Sequence, residues 1–286
     1  MMNVTNAQLL EDAVKALEKA GVEDAVLNAR ELLGKVLSCD CRSFEFGQKL
    51  NEQAETSVQS EFERLCERRI SGEPLQYLIG EWEFYGLTLK VGEGVLIPRQ
   101  DTETLVDTVL KKAPKDDPLI AADLCAGSGC IALALEKHLS FGKIYAVEKS
   151  PEAMSYLEHN IKLNNSAVVP VLADVTDEQT VNGFEMLDVI VSNPPYLTKE
   201  DMQALQKEVT FEPQSALFGG DDGLEFYRTI IRLWKSRLKQ GGLIAFEIGA
   251  DMQDEVMTML VRHGFENVRA AKDACGVFRC VTGFKK

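Results

Sequence analysis

The chain changes its hydrophobic rhythm once. Up to Ser71 the apolar positions recur at helical spacing: Leu9, Leu10, Ala13, Val14 and Leu17 share one face, and Gly21 stands where a helix stops. Leu32, Leu33, Val36 and Leu37 mark a second helix, and Val58, Phe62, Leu65, Cys66 and Ile70 a third. No strand signal interrupts them. Residues 1–73 therefore read as a small helical bundle whose apolar faces pack on one another.

Gly72 and Pro74 punctuate the chain, and residues 74–98 carry short β-type runs broken by Gly86, Gly92 and Gly94, which predicts a hairpin connector. Asp101 is placed to cap a helix bearing Leu105, Val106, Val109 and Leu110. After Pro118, short apolar runs alternate with amphipathic ones: LIAADLC, KIYAVEK, VVPVLAD, LDVIVS and LIAFEIG read as strands. GCIALALEKHL, PEAMSYLEHNIKLNN and DMQDEVMTMLVRHG read as helices. GLEFYRTIIRLWKSRL reads as a helix stopped by Gly241 and Gly242, and VFRCVTG alternates like an edge strand. Such alternation means parallel βαβ units. The expectation for residues 99–286 is a doubly wound, mostly parallel α/β sheet with an antiparallel edge strand.

Composition narrows the class. The 286 residues are 45% hydrophobic and 27% charged, enough for a core and ordinary for a globular chain. The start, MMNVTNAQLL, lacks the basic and apolar regions of a signal peptide, and no apolar run approaches the roughly 18 residues of a membrane span. A net charge of −14 disfavours general affinity for polyphosphate, so no direct nucleic-acid partner is expected. The seven cysteines are odd in number and scattered, which suits reduced thiols and a cytoplasmic setting. Cys39-Asp40-Cys41 has no second pair to complete a metal site, and none of His138, His159 and His263 stands beside a nucleophile. With no exposed apolar stripe, a monomer is expected.

In an open parallel sheet, ligands bind beyond the carboxyl ends of the strands. The first such end is DLCAGSGC, Asp123 to Cys130, whose Gly127 and Gly129 permit a tight turn and close backbone approach. Gly127 to Ala132 also fits the dinucleotide fingerprint, so the glycines alone leave open a nicotinamide cofactor, another nucleoside cofactor or a plain turn. Glu148 ends the next strand and suits ribose hydroxyls; Asp174 ends the one after and suits an adenine amino group. Asp123 would repel a pyrophosphate and welcome an ammonium, so the acidic series Asp123, Glu148, Asp174 matches S-adenosylmethionine better than NAD.

The strand LDVIVS ends at the same edge in Asn193-Pro194-Pro195-Tyr196. Asn193 and Pro194 each precede a proline, which holds both extended. A corner so stiffened can aim the Asn193 side-chain oxygen and the Pro194 carbonyl at one planar NH₂ group, with Tyr196 offering a flat face. Alignment of that kind favours methyl transfer to nitrogen without a strong base.

The stretches GEPLQYLIGEWEFYGLTLKVGEGVLIPRQDTETLV, DLCAGSGCIALAL, SNPPY, FEPQSALFGGDDGLEFYR and GGLIAFEIG together resemble the HemK/PrmC family, the release-factor glutamine methyltransferases. The resemblance runs from Gly72 to the end. It implies a Rossmann-like class I methyltransferase that uses S-adenosylmethionine and no metal. The substrate would be the N5 nitrogen of the glutamine in the Gly-Gly-Gln motif of class 1 peptide chain release factors. Asn193, Pro194, Pro195 and Tyr196 would hold the amide. Cys125, Ala126, Gly127, Ser128, Gly129, Glu148, Asp174, Val175 and Asn193 would line the cofactor, and residues 1–73 would help grip the release factor. Arg99 and Glu103 lie in a family motif, either supporting the substrate loop or forming an ordinary ion pair. Cys125 stands where Gly is frequent, Glu148 where Asp is, and Phe211 where His or Tyr is. Asn-Pro-Pro-Tyr is shared with N6-adenine methyltransferases, which keeps nucleic-acid methylation as the alternative; a non-catalytic adaptor is the third reading.

Overall fold

The computed structural model describes residues 4–114 and 118–286; part of the stretch read for a signal peptide, Met1 to Asn3, lies outside them. The chain divides into two units, Met1–Glu81 with Gln206–Phe211 and Trp82–Leu205 with Glu212–Lys286.

The first unit is helical. It holds α1 (Asn6–Lys19), α2 (Ala25–Val36), α3 (Phe44–Lys49), α4 (Thr56–Ile70) and α5 (Leu75–Ile79). Thr5 opens α1 with a reciprocal cap: its hydroxyl accepts from Gln8 N at 3.3 Å, and its own N–H donates to Gln8 Oε1 at 2.9 Å. The expected apolar faces meet in one core around Leu17, Leu32, Leu33, Phe46, Phe62 and Leu65. The short α3 and α5 escape a reading by period, because six and five residues do not complete two turns. Arg69 is buried and donates to Asn28 Oδ1 at 2.6 Å and to Glu208, which ties Gln206–Phe211 to this unit.

In the second unit, β1 (Glu81–Phe84) and β2 (Leu87–Lys90) form a two-stranded sheet. There follow α6 (Glu103–Lys112), β3 (Leu119–Leu124), α7 (Cys130–His138), β4 (Phe141–Glu148), α8 (Pro151–Leu163) and β5 (Val169–Leu172). Next come α9 (Glu178–Asn182), β6 (Leu187–Ser192), α10 (Lys199–Gln203), α11 (Glu225–Trp234), β7 (Leu238–Glu247), α12 (Gln253–Arg262), β8 (Phe265–Lys272) and β9 (Phe278–Lys285). The large sheet has the order β5-β4-β3-β6-β7-β9-β8. Strands β3 to β7 run parallel, whereas β9 pairs antiparallel with both β7 and β8. Strand order reverses between β3 and β6, which sets the ligand crevice there.

Every residue of β6 is buried, because both faces of the sheet are covered. Val189 and Val191 face the core that takes in Leu105, Ile131 and Leu157; Ile190 between them faces the core of Tyr227, Ile231 and Trp234.

Three expectations change. Asp101 does not cap α6: Thr102 occupies the cap position, and Asp101 pairs instead with Arg279 at 2.9 Å. Gly241 and Gly242 do not stop the helix, which ends at Trp234; they lie inside β7, where the pairing with β6 shifts register. The alternation of VFRCVTG belongs to β9, which is not an edge. Its residues Cys280 to Gly283 are buried on both faces between β7 and β8, and the edge on that side is β8.

Candidate active site

A cavity of about 330 Å³ opens at the carboxyl ends of β3, β4, β5 and β6, of the size that takes a small ligand. Its wall includes Cys125, Ala126, Gly127, Ser128, Glu148, Asp174, Val175, Asn193, Pro195 and Arg99. Asp123, Gly129, Pro194, Tyr196 and Glu103 are not part of that wall.

The loop after β3 turns on left-handed residues. Cys125 has φ +63°, a region that favours Gly, so its departure from glycine is a strained one. Gly127, at φ +55°, lines the cavity, and a Cβ there would meet no protein atom. Gly129 does different work: at φ +83° it opens α7, and a Cβ on it would lie 2.3 Å from Leu157 Cδ1. One glycine admits a ligand to the backbone; the other lets α7 approach α8.

The acidic strand ends are held before any ligand arrives. Glu148 Oε2 accepts from Gly127 N at 2.8 Å, and Oε1 from Lys149 N at 2.8 Å and Ser150 N at 2.7 Å. Asp174 Oδ1 accepts from the Thr176 amide at 2.8 Å and its hydroxyl at 2.6 Å, and Oδ2 meets Lys149 Nζ at 2.7 Å. Partial burial pushes the Asp174 carboxyl up, but the Lys149 ammonium and the Thr176 bonds outweigh it and hold it below the usual value. Asp123 departs from expectation. It is fully buried, its Oδ2 accepts from Ala132 N at 3.1 Å at the start of α7, and Oδ1 finds no protein partner among the described residues. Burial, with the Glu148 charge added, pushes it up to about 8. A neutral acid repels no phosphate, so the charge preference of the crevice rests on Glu148 and Asp174.

The corner after β6 is clasped by backbone. Leu197 N donates to Leu217 O at 2.8 Å and Gly219 N to Leu197 O at 2.9 Å. A Cβ on Gly219 would meet Pro195 O at 2.6 Å, and one on Gly249 would meet the Tyr196 ring at 3.2 Å. Tyr196 therefore packs into the core beside Gly249 rather than facing the cavity, and burial pushes its phenol well above the usual value. Asn193 reaches the cavity, with Nδ2 3.5 Å from Thr102 Oγ1. Arg99 and Glu103 are not each other's partners. Arg99 pairs with Glu212, which also accepts from Ile97 N at 2.9 Å, while Glu103 accepts from Tyr85 N at 3.1 Å.

Comparison with known proteins places the chain. A PrmC N-terminal domain model matches residues 8–80, and a TRM5/TYW2 methyltransferase domain model matches residues 107–211. The release factor glutamine methyltransferase of Geobacter sulfurreducens is 37% identical over 270 residues, covering 93% of this chain and 92% of that protein. The protein of the same name from Thermodesulfovibrio yellowstonii is 39% identical over 259 residues, covering 89% and 90%. The chain belongs to the release factor glutamine methyltransferase family. In fold it resembles a solved methyltransferase from Pyrococcus furiosus, with TM-score 0.52 and 22% identity over 71% of this chain and 90% of that one. The sheet is thus that of a Rossmann-like class I methyltransferase, with the helical unit ahead of it.

Around this family's cavity several supporting residues went unread in the sequence. Asn160 on α8 donates to Ser128 O at 3.0 Å and exchanges bonds with Lys90, fixing the loop after β3 to β2. Trp234 Nε1 holds Val175 O at 2.9 Å, and Ser192 Oγ joins the ends of β6 and β3 through Leu124 O at 2.6 Å. Leu96, Ile97, Pro98 and Thr102 also line the cavity. The signal for Asn160 was a polar residue on an otherwise apolar helix face; Trp234 lay within a run read only as a helix.

Proposed function

We propose that this methyltransferase transfers a methyl group from S-adenosyl-L-methionine to the side-chain amide nitrogen, N5, of the glutamine in the Gly-Gly-Gln motif of class 1 peptide chain release factors. The observation that carries the reading is the meeting of Asn193 with Glu148 and Asp174 on one cavity, in a chain of this family. The wall suits the cofactor: Gly127 leaves backbone open to a ligand, and two carboxylates fixed by amides and by Thr176 keep lone pairs for ribose hydroxyls and an adenine amino group. The bound cofactor supplies an electrophilic methyl group on a sulfonium. The chain supplies alignment.

Asn193 accepts from the substrate NH₂ and turns its nitrogen toward the cofactor; the Pro194 carbonyl is assigned the second bond. Pro195 stiffens the corner and forms part of the wall. Tyr196 is a neutral phenol and serves as packing for the corner rather than as a base. Cys125, Ala126, Gly127, Ser128 and Val175 contribute backbone and apolar wall, Gly129 and Asp123 support the loop from behind, and Arg99 supports the substrate side through Glu212. Glu103 is left a structural part, anchoring Tyr85.

Residues 1–73 are assigned to gripping the release factor, 74–98 to connecting, and 99–286 to catalysis, in a cytoplasmic monomer. A release-factor substrate and unpaired cysteines support that setting. Among the described residues no helix is long and apolar enough to cross a membrane. The test is incubation with labelled S-adenosylmethionine and a class 1 release factor, followed by mass spectrometry. One methyl on the Gly-Gly-Gln glutamine is expected. Methylation of DNA or RNA with the release factor untouched would replace this reading by the nucleic-acid one, which the net charge of −14 disfavours.

A further inference from the structure

Asn193 can do its work only one way round. A side-chain amide has an acceptor end and a donor end of nearly equal shape. If Nδ2 faced the substrate, two donors would meet and the contact would repel.

The end of β7 bears on this choice. Glu247 is 2% exposed, the Thr102 hydroxyl and the Asn193 amide lie beside its carboxylate, and its Oε2 has no hydrogen-bond partner among the described residues. Asn193 Nδ2 also lies 3.5 Å from Thr102 Oγ1. The backbone behind the carboxylate is fixed, since Tyr227 donates to Glu247 O at 2.8 Å. A carboxylate can only accept, and an acceptor left unpaired there favours Nδ2 turned inward and Oδ1 left for the cavity. Resting on the function proposed above, we infer that Glu247 is a positioning residue: with Thr102 it fixes which end of Asn193 meets the substrate amide.

A buried negative charge behind Nδ2 also polarises the amide and strengthens Oδ1 as an acceptor. Protonated, the same group becomes a donor that can bond Oδ1 and turn the amide round. Burial pushes Glu247 up to about 7, against the lowering effect of the Thr102 hydroxyl. The charged groups facing it are Asp101 in the turn before α6 and Arg279 on β9. Its other titratable neighbours are Tyr196, Tyr227 on α11, Cys130 on α7 and Cys280 on β9. All four are pushed up by burial and stay protonated across the neutral range.

The experiment compares kcat, KM and S-adenosylhomocysteine affinity of the full chain acting on a class 1 release factor, across pH. Glu247→Met keeps the size and removes the acceptor; Glu247→Gln keeps an acceptor that does not titrate. The Met variant is expected to lose about a hundredfold or more in kcat, with S-adenosylhomocysteine affinity within about threefold. The Gln variant is expected to stay within about tenfold of the parent and to lose the fall in kcat on the acid side of neutrality. Thr102→Val removes the hydroxyl that lowers the Glu247 pKa, so it should move that fall to higher pH. Wild-type kcat in the Met variant, or a pH limb unchanged in both Gln and Val variants, overturns the inference. If the Met variant does not fold, the Gln and Val profiles still decide. A parent chain that binds S-adenosylhomocysteine but leaves the release factor unmethylated would instead overturn the functional reading.

Discussion

Asn193→Ala removes the acceptor that aligns the substrate amide while leaving Glu148 and Asp174 in place. Loss of one such bond in a transition state costs about 3 kcal/mol, so kcat should fall roughly a hundredfold or more. S-adenosylhomocysteine affinity should change little, and calorimetry on the variant checks this. Cys125 offers a cleaner physical test. At φ +63° an L side chain is strained, and both Cys125→Gly and Cys125→Ala remove the sulfur. The comparison of the two therefore isolates the backbone: Gly should be the more stable by about 1 kcal/mol in urea unfolding, the reverse of the order in a helix. At this scale the sequence displayed the polar part of the cavity wall, because strand-end acids and a proline-locked amide are visible as residue types in order. It did not display Asp123's burial, Tyr196's inward packing or Glu247's position behind Asn193. Those depend on what three other strands place nearby.

At the scale of elements, the approach of α7 to α8 rests on an absent side chain. Gly129→Ala would place a Cβ 2.3 Å from Leu157 Cδ1 in a left-handed conformation. Overpacking and strain together should cost about 2–4 kcal/mol. Leu157→Ala alone leaves a cavity and should cost about 3 kcal/mol. In the double variant the new methyl enters that space, so the cost should fall short of the sum by about 1 kcal/mol or more, read from a double-mutant cycle. Simple additivity would show that the two helices adjust independently. Long periodic elements such as α1, α4 and α8 were readable because apolar spacing survives over several turns. α3 and α5 are too short for a period. β9 misled because its alternation in residue type is overridden by cover on both faces, and Gly241 and Gly242 misled because a register shift within a strand uses glycine as readily as a helix end does.

For the whole molecule, buried acids set the pH dependence of stability. Asp123 is pushed up to about 8 by burial and then by Glu148, and Glu247 to about 7 by burial. In the unfolded chain both titrate near their ordinary values of about 4. Between those limits the folded state binds protons that the unfolded state has released, so stability falls as pH rises. Their contribution is complete below about pH 4 and is lost as pH passes the folded values. Asp174, Asp222 and Asp273 act with the opposite sign, since partners hold them below the usual value. Their window lies at more acid pH and does not oppose the trend near neutrality. Urea unfolding of the ligand-free protein should therefore give a free energy that declines from about pH 5.5 to about pH 7.5, by no more than about 1.4 kcal/mol per pH unit for each acid. Asp123→Asn keeps an acceptor for Ala132 N–H and removes the titration, so it should flatten the decline, and adding Glu247→Gln should flatten it further. A stability that rises over this interval, or a slope that neither substitution changes, would mean that water or a neighbouring charge keeps these carboxylates ionised inside the fold.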